Sequence, residues 1–101
     1  MEKMIVDGKV AVLYSPGYGA GWYTWNTTEG QQIVFDTDII NDVLAGKDPT
    51  QTAEQKYPNA YSGGCYKLEV KWLPIGTRFQ IDEYDGNESV RILSPEDGFV
   101  A

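Results

Sequence analysis

A chain of 101 residues, 42% hydrophobic with three Trp, seven Tyr and three Phe, specifies one folded domain over 1–101 with aromatics to spare for a surface. Eight basic against fifteen acidic residues, a formal net charge of −7, exclude global attraction to long nucleic acid or an anionic membrane. With no histidine and one cysteine, Cys65, the composition excludes Ser-His-Asp and Cys-His catalysis, an internal disulfide and the common zinc sites.

Met4-Ile5-Val6 and the run Lys9 to Tyr14 flank Asp7-Gly8, the signature of a tight hairpin. The alternative is one long strand bulged at Gly8, its continuous apolar run marking a central strand covered on both faces. Ser15 to Gly21 holds three glycines and a proline and predicts an irregular loop. Trp22 to Asn26 reads as extended, with Trp22 and Thr24 on one face and Tyr23 and Trp25 on the other. Ile33-Val34-Phe35 reads as a short strand. Asp36 or Thr37 caps a helix carrying Ile39, Ile40, Val43 and Leu44, with Gly46 as its stop. Asp48-Pro49-Thr50-Gln51 starts a second helix that ends near Tyr57, ahead of Pro58.

Tyr57 to Gly64 is a second irregular loop, again with aromatics beside glycine. Tyr66, Leu68, Val70 and Trp72 alternate with charged residues as a half-buried strand. A turn at Pro74-Ile75-Gly76-Thr77 leads to a strand over Phe79 to Tyr84, a turn at Asp85-Gly86-Asn87, and a return strand from Ser89 to Leu93. The tail from Ser94 to Ala101 carries Phe99 and Val100 for docking onto the sheet. This order gives an α+β fold: a curved, mainly antiparallel sheet with two short helices packed on one face. No apolar run reaches the ~20 residues of a membrane span, and nothing resembling a signal peptide precedes the first strand. With the lone thiol, this points to the cytoplasm.

Three groups carry possible chemistry. Gly17, Gly19 and Gly21 can turn backbone N–H groups toward a phosphate, although no P-loop or dinucleotide fingerprint is present; the plain alternative is a surface turn. Tyr18, Trp22, Tyr23, Trp25, Tyr57 and Tyr61 supply rings for stacking on a base or anchoring a protein interface, unless the tryptophans plug the core. Asp82, Glu83, Asp85 and Glu88 form an acidic hairpin tip whose spacing does not fit a calcium loop and reads as solvated turn formers. Cys65 has no base to activate it and reads as a small residue filling the start of a strand. Arg78 and Arg91 are either anion clamps or partners of Asp82, Glu69 and Glu88.

The stretches Val10 to Trp22, Trp25-Asn26, Tyr57 to Gly64, Trp72 to Phe79 and Ile81 to Ser89 together resemble a group of short uncharacterised bacteriophage and prophage proteins. The resemblance spans most of the chain. It implies a setting inside an infected bacterial cell, where small proteins without enzyme motifs counter host defence.

The expected function is therefore a non-enzymatic counter-defence protein that sequesters a small nucleotide-type ligand, such as a cyclic nucleotide immune signal. Trp22, Trp25, Tyr61 and Tyr18 supply rings, Gly17, Gly19 and Gly21 N–H donors, Arg78 a phosphate contact and Asn59 a base-edge contact. The pocket is expected between protomers of a homo-oligomer, with no metal and no cofactor. The alternative is an anti-CRISPR-like protein inhibitor covering a basic surface of a host defence protein. A hydrolase using Asp82 and Glu83 is a third reading.

Overall fold

The computed structural model describes residues 2–93 and 98–101. Strands β1 (Ile5–Val6) and β2 (Lys9–Tyr14) form the hairpin that Asp7-Gly8 predicts. Both turn residues take left-handed angles, φ 51° and 76°, so the turn matches the twist of its strands and pairs Val6 with Lys9. On its other edge β2 pairs antiparallel with β3 (Glu69–Pro74), from Lys9 opposite Pro74 to Tyr14 opposite Glu69.

A second sheet has β4 (Arg78–Tyr84) at its centre, between β5 (Asn87–Ile92) and β6 (Phe99–Val100). The fold is α+β, but its strands form two open three-stranded antiparallel sheets where a single curved sheet is expected. The chain leaves the first sheet at Pro74, which has no N–H to extend a ladder, and turns over Gly76 (φ 88°) to start β4 elsewhere. Phe99 and Val100 dock against β4 as expected; residues 94–97 of that tail lie outside the described residues.

Val10, Ala11, Val12 and Leu13 are all fully buried because β2 is covered on both faces. Ala11 and Leu13 pack with Trp22, Ile33, Ile39, Ile40 and Ala53 under the helices. On the other face Val10 and Val12 pack with Phe35 and Leu73 and with Phe79 and Ile81 of the second sheet. The layers are thus helices, first sheet, second sheet.

Helix α1 (Thr37–Leu44) starts where Asp36 accepts the Ile39 N–H at 3.0 Å, and Gly46 (φ 75°) follows its end. Helix α2 (Thr50–Lys56) is entered through Asp48, whose carboxylate accepts the Thr50 N–H at 2.9 Å. Ile39 and Ile40 of α1 and Ala53 of α2 share one core, which places both helices on the same face of the first sheet.

Three segments expected to be extended are not. Tyr23–Trp25, Gln31–Val34 and Cys65–Lys67 each form a 3₁₀ turn. The triplet Ile33-Val34-Phe35 looks like a strand because it serves two cores: Ile33 faces the helices, while Val34 and Phe35 face the second sheet. The turn at Cys65–Lys67 delays β3 to Glu69 and leaves Tyr66 exposed.

Candidate functional site

The loop from Ser15 to Gly21 leaves the end of β2 and meets the tip of the β4–β5 hairpin. That tip is a two-residue turn, Asp85 (φ 52°) and Gly86 (φ 82°), which sets Tyr84 opposite Asn87 and Glu83 opposite Glu88. Because Phe79 and Ile81 face the core, the same face of the hairpin carries Glu88 inward.

Glu88 is 1% exposed. One carboxylate oxygen accepts the Ser15 N–H at 2.9 Å. The other accepts the N–H groups of Trp22 (2.8 Å) and Thr24 (2.9 Å) and the Thr24 hydroxyl (2.6 Å). Among the described residues no lysine or arginine pairs with it. An anion is cradled here, but by the N–H groups of Ser15, Trp22 and Thr24 at the loop's edges and not by those of Gly17, Gly19 or Gly21, and the anion is the protein's own carboxylate.

The rest of the loop is pinned as closely. Gly17 N–H donates to Asn87 Oδ1 at 2.8 Å and Gly19 N–H to the Asp85 carbonyl at 3.0 Å. Lys67 Nζ donates to the carbonyls of Gly17 (2.7 Å) and Tyr18 (3.0 Å). The Ser15 hydroxyl lies within hydrogen-bond distance of the Ala20 and Gly64 carbonyls. A side chain at Gly21 would sit 2.6 Å from the Thr24 hydroxyl and 2.9 Å from the Glu88 carboxylate, and one at Gly86 would run into the Gly19 backbone. Glycine is needed at both places for close approach.

Asn26 ties the two irregular loops together. It is buried, donates to the carbonyls of Trp22 (2.7 Å) and Tyr61 (3.0 Å), and accepts the Tyr61 N–H at 2.7 Å. Trp25 and Tyr61 consequently stack, with centroids 5.3 Å apart and planes 27° from parallel. Trp25 Nε1 also reaches Glu83 at 3.3 Å, and the neighbouring Tyr84 meets Tyr18 edge-on at 6.4 Å. Two exposed aromatic pairs thus flank the hairpin tip: Trp25 (43% exposed) with Tyr61 (54%) beside Glu83, and Tyr18 (67%) with Tyr84 (75%), whose strand position faces away from Glu83. The exposed carboxylates of Glu83 and Asp85 lie among them.

Several expected site residues are placed differently. Trp22 is fully buried, its indole N–H donating to the Ile33 carbonyl at 2.9 Å and its ring edge-on to Tyr57 at 6.1 Å, so it is core and not a stacking platform. Gly17 and Gly19 have their N–H groups engaged within the chain, and Gly21 is buried against Glu88. Arg78 opens β4 at the end away from the hairpin tip, about 20 Å from the loop at the usual rise per strand residue. Asn59 is exposed in the turn after α2, two residues before Tyr61. Of the expected rings, Tyr18, Trp25 and Tyr61 are exposed, Trp25 and Tyr61 stacked on each other and Tyr18 edge-on to Tyr84. Glu88 is not a solvated turn former, because its partners are buried backbone N–H groups.

Elsewhere, Asp82 pairs with Arg91 at 2.6 Å, the structural role expected for that arginine. Cys65 is buried; desolvation, with Asp48, Glu54 and Glu88 adding to it, pushes its thiol up to about 12. Asp36 accepts the Tyr57 hydroxyl at 2.6 Å and pairs with Lys56 at 2.8 Å. Burial works to raise its carboxyl, but these donors and the Ile39 N–H outweigh it and hold it below the usual value. Burial and then the Asp36 carboxylate push the Tyr57 phenol well up. Among the described residues no group of three or more His, Cys, Asp or Glu is placed to hold a metal ion, and no helix is long and apolar enough to cross a membrane.

Comparison with known proteins gives no match, neither to a protein-family model nor to a curated protein or a solved structure.

Proposed function

We propose that this protein is a non-catalytic binding protein that docks its aromatic end, Tyr18, Trp25, Tyr61 and Tyr84, onto a basic surface of another protein. The observation that carries this reading is the two exposed aromatic pairs, Tyr18–Tyr84 and Trp25–Tyr61, held beside the carboxylates of the hairpin tip in a chain of net charge −7. Exposed Tyr and Trp on a fixed backbone are the residues that dominate interface energies, since they offer large area at little cost in side-chain entropy. Acidic neighbours favour a lysine- and arginine-rich partner and speed the encounter.

Capture of a nucleotide is the less favoured reading. Its phosphate donors are bonded within the chain, and the carboxylates of Glu83 and Asp85 at the same surface repel phosphate. In an infected cell, docking of this kind would mask the nucleic-acid-binding face of a defence protein, which accords with the resemblance to phage proteins.

The test is affinity capture from bacterial lysate with wild type and with a Tyr18→Ser, Trp25→Ser, Tyr84→Ser variant. A stoichiometric protein bound through a basic surface, captured by wild type and lost by the variant, is the expected result. Equal retention by the variant, or a nucleotide released from the purified protein on heating, overturns the reading.

A further inference from the structure

A groove of about 470 Å³ runs beside the aromatic end, between the turns that carry Tyr23, Thr24 and Thr27 and the strand residues Asp82, Glu83 and Phe99. Among the described residues no basic side chain lines it. Its two carboxylates are not equivalent. Asp82 is neutralised by Arg91, which approaches it with two nitrogens at 2.6 and 3.3 Å. Glu83 has no cation: one oxygen accepts the Gly86 N–H at 2.7 Å and the Trp25 indole N–H at 3.3 Å, and the other has no partner among the described residues. Tyr23 from the turns and Phe99 from β6 meet edge-on at 5.0 Å and make one end of the groove aromatic.

We infer that this groove receives an arginine side chain of the docked partner, its guanidinium paired with Glu83 beside the Trp25 ring. The inference rests on the docking reading and specifies what the basic surface inserts. A carboxylate with no cation beside the Trp25 ring, in a groove that also carries Tyr23 and Phe99, disfavours an anionic guest and favours a cation. Among cations, a guanidinium is flat, weakly hydrated and forked, so it can pair with the carboxylate while lying on a ring; an ammonium is more strongly hydrated and loses more on leaving water. Asp82 and Arg91 display the same pairing at the groove's edge. Glu83 also holds Trp25, so a partner seated on the aromatic end has the groove within reach of one side chain.

Titration calorimetry at low salt with hexa-arginine and hexa-lysine peptides tests this. Wild type is expected to bind hexa-arginine saturably and at least tenfold tighter than hexa-lysine. Glu83→Gln, which keeps an acceptor for Gly86, is expected to weaken hexa-arginine at least tenfold. Thr27→Trp, which fills the groove without altering the aromatic end, is expected to do the same. Asp7→Asn removes one negative charge at the far end of β2, in a turn that suits Asn, and is expected to stay within twofold of wild type. If Glu83→Gln and Thr27→Trp behave like Asp7→Asn while Trp25→Ala and Tyr84→Ala lose binding, the groove inference falls and the docking reading stands. Equal affinity for the two peptides overturns the choice of arginine. No heat with either peptide overturns both readings.

Discussion

Replacing Glu88 removes the acceptor on which the ends of the glycine-rich loop converge. In Glu88→Ala the N–H groups of Ser15 and Trp22 stay buried without a partner, and the half-buried Thr24 loses two bonds. An unsatisfied buried donor costs about 1–3 kcal/mol, so the two buried amides alone amount to about 2–6 kcal/mol. One effect runs the other way, since a buried carboxylate without a cation is itself expensive and removing it relieves that penalty. The four donors already offset most of the penalty, so the orphaned amides win and a net loss of about 4 kcal/mol is expected. Glu88→Gln separates the terms at constant shape. Its carbonyl can serve Trp22 and Thr24, but its NH₂ then faces the Ser15 N–H, one donor against another, for a loss of about 2–3 kcal/mol. For a domain of this size that lowers the melting temperature by about 10 °C or more. Urea unfolding of wild type and both variants, followed by far-ultraviolet circular dichroism, measures the series. A Gln variant within about 0.5 kcal/mol of wild type would refute the idea that this carboxylate organises the loop.

Two further outcomes follow from the same geometry. With its thiol pushed up to about 12 against an ordinary 9.0, Cys65 in the folded protein should alkylate about a thousandfold more slowly than in urea at pH 8, read by mass spectrometry; rapid labelling of native protein contradicts its burial. Asp36 has a folded-state value below its ordinary 3.8, so its contribution is fully present above that value and is lost as pH falls through the depressed one; the stability gap between wild type and Tyr57→Phe should shrink on acidification through that window, and a gap independent of pH contradicts the Asp36 assignment.

The sequence is most informative where a local rule is strong. Asp7-Gly8, the Asp36 cap, the Gly46 stop and the Pro74 to Thr77 turn are each legible because a particular backbone angle or a missing N–H narrows the choice. The extended reading of Trp22 to Asn26 fails because alternation over five residues cannot distinguish a strand from a 3₁₀ turn fixed by distant partners, here Glu88, Ile33 and Tyr61. Glu88 has a signal that composition hides. A two-residue turn at Asp85-Gly86 puts Glu83 and Glu88 opposite each other on the face that carries Phe79 and Ile81 inward. Like charges paired on a core-facing surface are unfavourable unless one is taken up by donors, here Ser15 before the glycines and Trp22 and Thr24 after them. The glycines suggest an anion cradle but not its donors, which are Ser15, Trp22 and Thr24; both the donors and their occupant required the register of a hairpin some seventy residues away.

That occupant also decides between a mobile turn and a presented surface. A loop needed merely to connect β2 to the helices could remain solvated, with its N–H groups bonded to water. Here Glu88, Asn87, Lys67, Ser15 and Asn26 fix it from both sides, and two glycines admit contacts that any side chain would block. Such fixation lowers the entropy lost when exposed rings meet a partner, because the backbone beneath Tyr18 and Trp25 has little freedom left to lose. Core packing does not require this, since Trp22 already fills the interior and the four exposed rings add little to it. The Glu88 network thus stabilises the fold and, on the docking proposal, also holds the backbone beneath Tyr18 and Trp25 ready for a partner.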